Sequence, residues 1–307
     1  MQALLDDIVK RCRSLGDGFE PASYIPELSN VDCSHFALSA VTTDGQVFSS
    51  GDADALFSMQ SMSKVVTLTY AVERFGTAEV FSRVGMEPCA EPFNSIMKLE
   101  IASNIPLNPF INSGAIAICE MIADRYEAAS LDELLRFASR MAARPGDKPL
   151  AVNERIYRSE ASTADRNRAL AYFMHSTGAL ARNVEETLDL YFRLCSICTN
   201  TTDLASIGAV IANGGVSPRT GERIVSLETS YVITGLMSTC GLYNESGEFA
   251  VRVGIPAKSG VSGGILCAVP GRMGVAAYSP PLDDRGNSVA GLEALSLLSK
   301  ELKLRGI

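Results

Sequence analysis

A serine and a lysine stand three residues apart at Ser61 and Lys64, within Phe57-Ser58-Met59-Gln60-Ser61-Met62-Ser63-Lys64. On a helix that spacing sets both side chains on one face, so an amine comes within reach of the serine's proton. The chemistry this suits is nucleophilic catalysis. A hydroxyl is a weak nucleophile until a base deprotonates it, and a lysine serves only if its pKa falls well below the usual ~10.4. Burial in the run Val65-Val66-Thr67-Leu68, the positive end of a helix dipole and any second cation all act in that direction. A second copy of the spacing, Ser95-Ile96-Met97-Lys98, shows how cheaply the pattern arises. The first copy is preferred because Phe57 to Tyr70 has a start signal and an unbroken helical pattern, whereas Pro92 and Pro106 crowd the second. His35, opening a predicted strand, and His175, in a helical stretch, are the only histidines and read as structural, which leaves few candidates for a Ser-His-Asp triad.

Lys258-Ser259-Gly260-Val261-Ser262-Gly263-Gly264 is, taken alone, a glycine-rich turn at a strand end. Taken with Ser61 and Lys64, its Lys-Ser-Gly triplet matches the third element of Ser-x-x-Lys enzymes, which lines the site beside the nucleophile. Backbone amides of Ser61 and of a residue just past the triplet then fit an oxyanion hole.

The elements that must position these groups are legible in outline. Leu4, Leu5, Ile8, Val9 and Cys12 recur at helical spacing over residues 1–15, ending near Gly16. Phe36–Val41 and Gln46–Ser49 flank Thr43-Asp44-Gly45 as a hairpin. Helices are expected from Asn112, over Leu131–Ala142, Ala161–Met174, Val184–Cys195 and Leu204–Ala212, with Asn213-Gly214-Gly215 as a C-cap and Arg144–Pro149 as an exposed loop. Phe249–Val253, Gly264–Val269 and Gly274–Ser279 read as three strands, and Gly291–Leu304 as a closing helix. This predicts an α+β fold in a single domain over 1–307: residues 1–60 and 246–307 build a mostly antiparallel sheet from both chain ends, and 61–245 form an inserted helical part.

With 307 residues, 47% of them hydrophobic, the chain can bury a large core. A formal charge of -8 with no basic block argues against nucleic acid or an anionic membrane as partner. The eight cysteines are scattered in apolar contexts, as in a reducing compartment, and Cys195-Ser196-Ile197-Cys198 reads as core packing rather than a metal or redox pair. An acidic N-terminus and the lack of a long apolar run point to a soluble cytoplasmic protein. No metal or other cofactor is expected, since no ligand cluster exists.

From Tyr24 to Pro281 the chain resembles the serine-dependent glutaminases, a family with a β-lactamase-like fold. The resemblance rests on Gln60–Lys64, Pro106–Ala115, Ser159-Glu160 with Arg166-Asn167-Arg168-Ala169, Cys240-Gly241-Leu242-Tyr243 and Pro256–Val261. The Asn112 and Glu160–Asn167 segments separate it from penicillin-binding proteins. It implies hydrolysis of L-glutamine to L-glutamate and ammonia, and a homo-oligomer, tetramer or dimer. Ser61 is similar to the family's nucleophile, Lys64 to its base, neutral at rest, and Tyr243 to the tyrosine that assists proton transfer. The amides of Ser61 and Val261 resemble the oxyanion hole, and Tyr24, Gln60, Asn112, Glu160, Asn167 and Tyr191 match the positions that hold glutamine.

The ligand's chemistry agrees with this set. Glutamine presents an ammonium, a carboxylate and a neutral amide, so Glu160 would take the ammonium and Asn112, Asn167 and Tyr191 the carboxylate. Each residue also has a plainer role open to it. Glu160 fits a capping or exposed acid at a helix entrance, Asn112 a helix cap, Asn167 a solvated face, and Tyr24, Tyr191 and Tyr243 ordinary half-buried aromatics. Either Tyr243 or Lys64 delivers the proton to ammonia. The rivals are a β-lactamase or penicillin-binding protein, which predicts a secretory signal, a glutamine sensor without catalysis, and a structural interaction protein.

Overall fold

The computed structural model describes residues 1–89 and 105–305, so Ser95-Ile96-Met97-Lys98 lies outside the described residues. Helix α1 (Gln2–Cys12) leads to a short helix α2 (Pro26–Ser29) and then to strands β1 (Ala37–Thr42), β2 (Val47–Gly51) and β3 (Phe57–Ser58). Helices α3 (Ser63–Phe75), α4 (Thr77–Arg83), α5 (Asn112–Tyr126), α6 (Ser130–Met141), α7 (Glu154–Ser162), α8 (Asp165–Ser176) and α9 (Val184–Cys195) follow. Strand β4 (Cys198–Thr199) precedes α10 (Thr201–Ala212), α11 (Leu227–Cys240) and α12 (Ser246–Arg252). The chain closes with β5 (Ala257–Gly260), β6 (Gly264–Val269), β7 (Met273–Tyr278) and α13 (Val289–Leu302).

The main sheet runs β2-β1-β7-β6-β5 and is antiparallel throughout; β1 and β7 join the two chain ends, with Ala37 opposite Tyr278 and Thr42 opposite Met273. Side chains alternate between its faces. Leu38, Ala40, Ile265, Cys267, Val275 and Ala277 pack with α1 and α13, while Ala37, Val41, Leu266, Ala268 and Ala276 pack with the helical middle. Helix α10 lies on that second face at unusually close range. A side chain on Gly274 would meet the backbone of Ala205 and Ala209 at 2.0 and 2.1 Å, so only glycine lets helix and sheet approach this far. The N-terminus of α10 is fixed by a capping box between Asn200 and Asp203. Arg144, on a loop read as merely exposed, forks onto Asp203 at 2.8 and 2.6 Å and is only 26% exposed. Among the described residues no helix is long and apolar enough to cross a membrane.

Three expected elements differ. Phe249–Val253 is not a strand; Ser246–Arg252 is the helix α12. Alternating Phe249, Val251 and Val253 mimic a strand's period, yet Val251 is 79% exposed while Phe249 and Val253, one helical turn apart, are buried. Ala161–Met174 is not one helix but the end of α7 and most of α8. The hydroxyls of Ser162 and Thr163 bond back to Ser159 O at 2.9 and 3.0 Å, competing with continuation of the helix. The expected helix around Ser61 also begins later, because Phe57–Ser58 is a strand and Gln60–Met62 a 3-10 turn before α3.

Candidate active site

Ser61 sits in the 3-10 turn between β3 and α3, and Lys64 in the first turn of α3, both buried. Gln60, just before Ser61, has φ 46°, a left-handed conformation that L-residues adopt only when their surroundings impose it. The imposing surface is the end of β5. A side chain at Gly260 would come within 2.8 Å of Met59 O, so the glycine of the Lys258-Ser259-Gly260 triplet is what lets the serine turn abut the strand.

The Ser61 hydroxyl is hydrogen-bonded to that of Tyr243, which also donates to Ser259 O at 3.4 Å. Burial pushes the Tyr243 phenol up to about 12, opposed by the bond with Ser61. Lys64 Nζ donates to Asn112 Oδ1 at 2.7 Å and to Phe110 O at 3.2 Å, and lies 6.0 Å from the Tyr191 ring centre. Burial brings the amine down to about 8, against the pull of Cys195, Glu160 and Cys119 toward the charged form. The amine is thereby brought close to neutrality, and its neutral fraction grows as pH rises.

The remaining predicted residues gather around this pair. Asn112 opens α5, but instead of capping it bridges Lys64 and Asn167, donating to Asn167 Oδ1 at 2.8 Å. Asn167, half-buried on α8, is thus turned inward through its amide. Glu160 ends α7 rather than starting a helix and is buried. Gln60 hydrogen-bonds its carboxylate, while Oε2 is buried with no partner among the described residues. Burial raises Glu160 to about 7, with Gln60 and Lys64 pulling it back. Tyr191 on α9 is buried and hydrogen-bonded to Cys195; burial, Cys195 and Glu160 hold its phenol well above the usual range. Tyr24 precedes α2 and is 54% exposed as a residue, while desolvation of its phenol, with Glu160 and Tyr243 near, holds its pKa well above the usual range. Val261 follows β5 and packs with Ala22, Ile25 and Leu28.

Other groups join the site without having been given a role in the sequence, although Lys258 stands in the triplet noted there. Lys258, fully buried, donates to Gly241 O at 2.9 Å and Ser259 O at 2.7 Å, with its amine 4.2 Å from the Tyr243 ring centre. Burial and nearby Lys64 pull its pKa well down. The Phe110 carbonyl and the thiols of Cys195 and Cys119 near Lys64 were invisible because backbone groups and scattered core cysteines have no motif. Among the described residues, no three His, Cys, Asp or Glu side chains are grouped as metal ligands would be.

The arrangement offers a hydroxyl bonded to a phenol, an amine near neutrality and a buried acid with a spare oxygen, which suits acyl transfer from a substrate carrying a cation. Solved structures share the architecture. A probable glutaminase, ybaS, has a TM-score of 0.93 and 40% identity, covering 98% of this chain and 96% of that one. The probable glutaminase from Bacillus subtilis complexed with 6-diazo-5-oxo-L-norleucine has a TM-score of 0.90 and 34% identity, covering 100% and 97%. The expected β-lactamase-like fold is the one these chains share. A glutaminase of Clostridium tetani is 46% identical over 305 residues, 99% of each chain, and one of Clostridium botulinum is 47% identical over the same span. With the Glutaminase family profile matching residues 20–306 as well, the chain belongs to the glutaminase family.

Proposed function

We propose that this glutaminase hydrolyses L-glutamine through a glutamyl ester on Ser61. Lys64 in its neutral form accepts the Ser61 proton as Oγ bonds to the side-chain amide carbon. The amides of Ser61 and Val261 hold the tetrahedral oxyanion, at about 3 kcal/mol per donor. The carbon–nitrogen bond then breaks, and ammonia leaves with a proton delivered from Lys64 or through Tyr243. Water attacks the ester, returns a proton to Ser61 Oγ and releases glutamate. Glu160 pairs with the substrate's ammonium, and Asn112, Asn167 and Tyr191, with Tyr24 at the mouth, take its carboxylate. The observation that carries this reading is Glu160: a carboxylate buried beside Lys64, bonded to the residue before Ser61 and left with an unpartnered oxygen, is costly unless a cation completes it. Assembly as a homo-oligomer belongs to the same reading.

The test is ammonia release from L-glutamine by wild type and by Ser61→Ala, with folding checked by circular dichroism. Release from glutamine but scarcely from asparagine, lost in the variant, is expected, because one missing methylene leaves the asparagine amide short of Ser61 when Glu160 holds the other end. Release surviving in Ser61→Ala would assign the nucleophile elsewhere.

A further inference from the structure

Tyr243 occupies a strained place. Its φ is 54°, in the 3-10 turn Tyr243–Glu245 that follows α11. A left-handed non-glycine residue is strained and persists only where neighbours over-determine it. Local bonds supply part of the hold: Ser246 Oγ donates to Tyr243 O at 3.0 Å and accepts from Leu242 N at 3.0 Å. The rest comes from two buried side chains far apart in sequence. Glu245, 8% exposed, accepts from Asn287 Nδ2 at 2.6 Å, and Asn287 is fully buried.

Asn287 ends a tight loop after β7, closed by Asp283 N to Asn287 O at 2.8 Å and by Asp283 Oδ1 accepting from the amides of Arg285 and Asn287 at 2.9 Å each. That loop walls the site. A side chain at Gly286 would lie 3.6 Å from Val261 Cγ1 and 4.0 Å from Tyr243 Cε2. The bond between Glu245 and Asn287 therefore joins the turn carrying the Tyr243 hydroxyl to the loop packed on Val261.

We propose that Glu245 and Asn287 are positioning residues for the glutaminase reaction, a buried clamp that holds the strained Tyr243 turn so that its hydroxyl meets Ser61. This rests on the role assigned to Tyr243 above. Neither residue is among those assigned to hold substrate. Loss of the clamp thus lowers kcat and leaves KM for glutamine nearly unchanged, because Glu160, Asn112 and Asn167 lie on other elements.

The chemistry of the pair gives a test that general destabilisation would not mimic. Asn287 Oδ1 is buried without a partner among the described residues, so Glu245→Gln can accept from the asparagine amide and also donate to that oxygen. Asn287→Asp instead sets two carboxylates face to face at the 2.6 Å contact, where they must share a proton. The other charged groups acting on Glu245 are Arg285, 3.5 Å away, Asp283 and Glu248, with Arg252 and Glu293 lining the same cavity; all are unchanged in these variants.

Kinetics of purified full-length variants, with thermal melts as the folding control, decide the matter. Glu245→Ala is expected to lower kcat by at least about tenfold, the scale of loss when a reacting group is misplaced, with KM within about twofold. Glu245→Gln should keep kcat within about threefold. In Asn287→Asp the kcat relative to wild type should fall as pH rises, and adding Glu245→Gln to it should flatten that ratio. In a Tyr243→Phe background Glu245→Ala should add little, since its effect runs through that hydroxyl. If Tyr243→Phe lowers kcat but Glu245→Ala does not, or if their losses simply add, the clamp is overturned while the role of Tyr243 stands. If Tyr243→Phe is fully active, the role of Tyr243 itself fails. Should Glu245→Ala not fold, a pH-independent ratio in Asn287→Asp, or no restoration in the double variant, overturns the clamp on its own.

Discussion

Lys64 and Glu160 are buried ionisable groups whose pKa values are drawn together from opposite ends of the scale, one down to about 8 and the other up to about 7, burial being the main cause for both. As base, Lys64 must be neutral, a fraction that rises with pH through about 8. As ammonium partner, Glu160 must be ionised, a fraction that rises through about 7. Both signs agree, so kcat/KM for glutamine should climb from pH 6 to a plateau above about pH 8, as a stopped ammonia assay would record. A profile falling over that interval would contradict both roles. Glu160 also has a consequence for stability. A carboxyl raised in the folded state loses its stabilising contribution as pH rises from its ordinary value of 4.5 through about 7. Glu160→Gln should then melt higher than wild type at pH 8, by a difference on the order of 1–3 kcal/mol that vanishes near pH 4, while KM for glutamine rises sharply. Equal melting at pH 8 would mean the carboxylate is not destabilised by burial. At this scale the sequence was legible where chemistry restricts residue choice: Ser61, Lys64, Asn112, Glu160 and Tyr243 all lie within one connected set of hydrogen bonds and charges. Glu245 and Asn287 were not, since an acid and an amide far apart in the chain have no meaning until the fold brings them together.

Elements of the fold meet through glycines whose reasons differ, although all read alike in the sequence. Gly260 faces Met59 O on the serine turn, whereas Gly274 faces the backbone of α10. Alanine at each adds the same carbon with different results. Gly274→Ala forces helix and sheet apart and should cost about 2–3 kcal/mol, a drop of several degrees in Tm, with kcat of the folded protein little changed. Gly260→Ala presses on the turn before Ser61, so kcat should fall by about tenfold or more at a smaller loss of Tm. Ammonia assays beside thermal melts distinguish the two, and an interchanged pattern would refute the assignment of these contacts. The hairpin, β6, β7 and most helices were legible because each carries a clean period or a turn signal. Helix α12 was not, because Phe249 and Val253 fit either period over so short a span, Val251 between them completes a strand's alternation, and only burial separates the two readings. The break between α7 and α8 depends on hydroxyls bonding back to Ser159 O, a local competition that apolar spacing does not record.

For the whole molecule, the decisive feature is that one sheet serves two cores. Leu38, Ile265, Cys267, Val275 and Ala277 point to the face covered by α1 and α13, and Ala37, Leu266, Ala268 and Ala276, their immediate neighbours in the strands, point to the face covered by the helical middle. A strand cannot lose one face and keep the other, because the same ladder of hydrogen bonds holds both. The site lies on the helical side of this shared sheet, with Ser61 on a turn against β5 and Tyr243 on a turn held by Lys258 of β5 through Gly241 O. The prediction is that the chain unfolds as one cooperative unit even though it exceeds the length at which that is routine. In a urea titration, loss of ammonia release and loss of far-ultraviolet dichroism should coincide. Leu298→Ala, buried on α13 in the terminal core, should shift both curves together by about 2–5 kcal/mol, although this residue belongs to the core away from Ser61. Activity lost at lower urea than dichroism would mean that the helical middle and its site melt apart from the sheet; a Leu298→Ala variant whose dichroism shifts while its activity midpoint stays would mean that the two cores are not coupled through the shared strands.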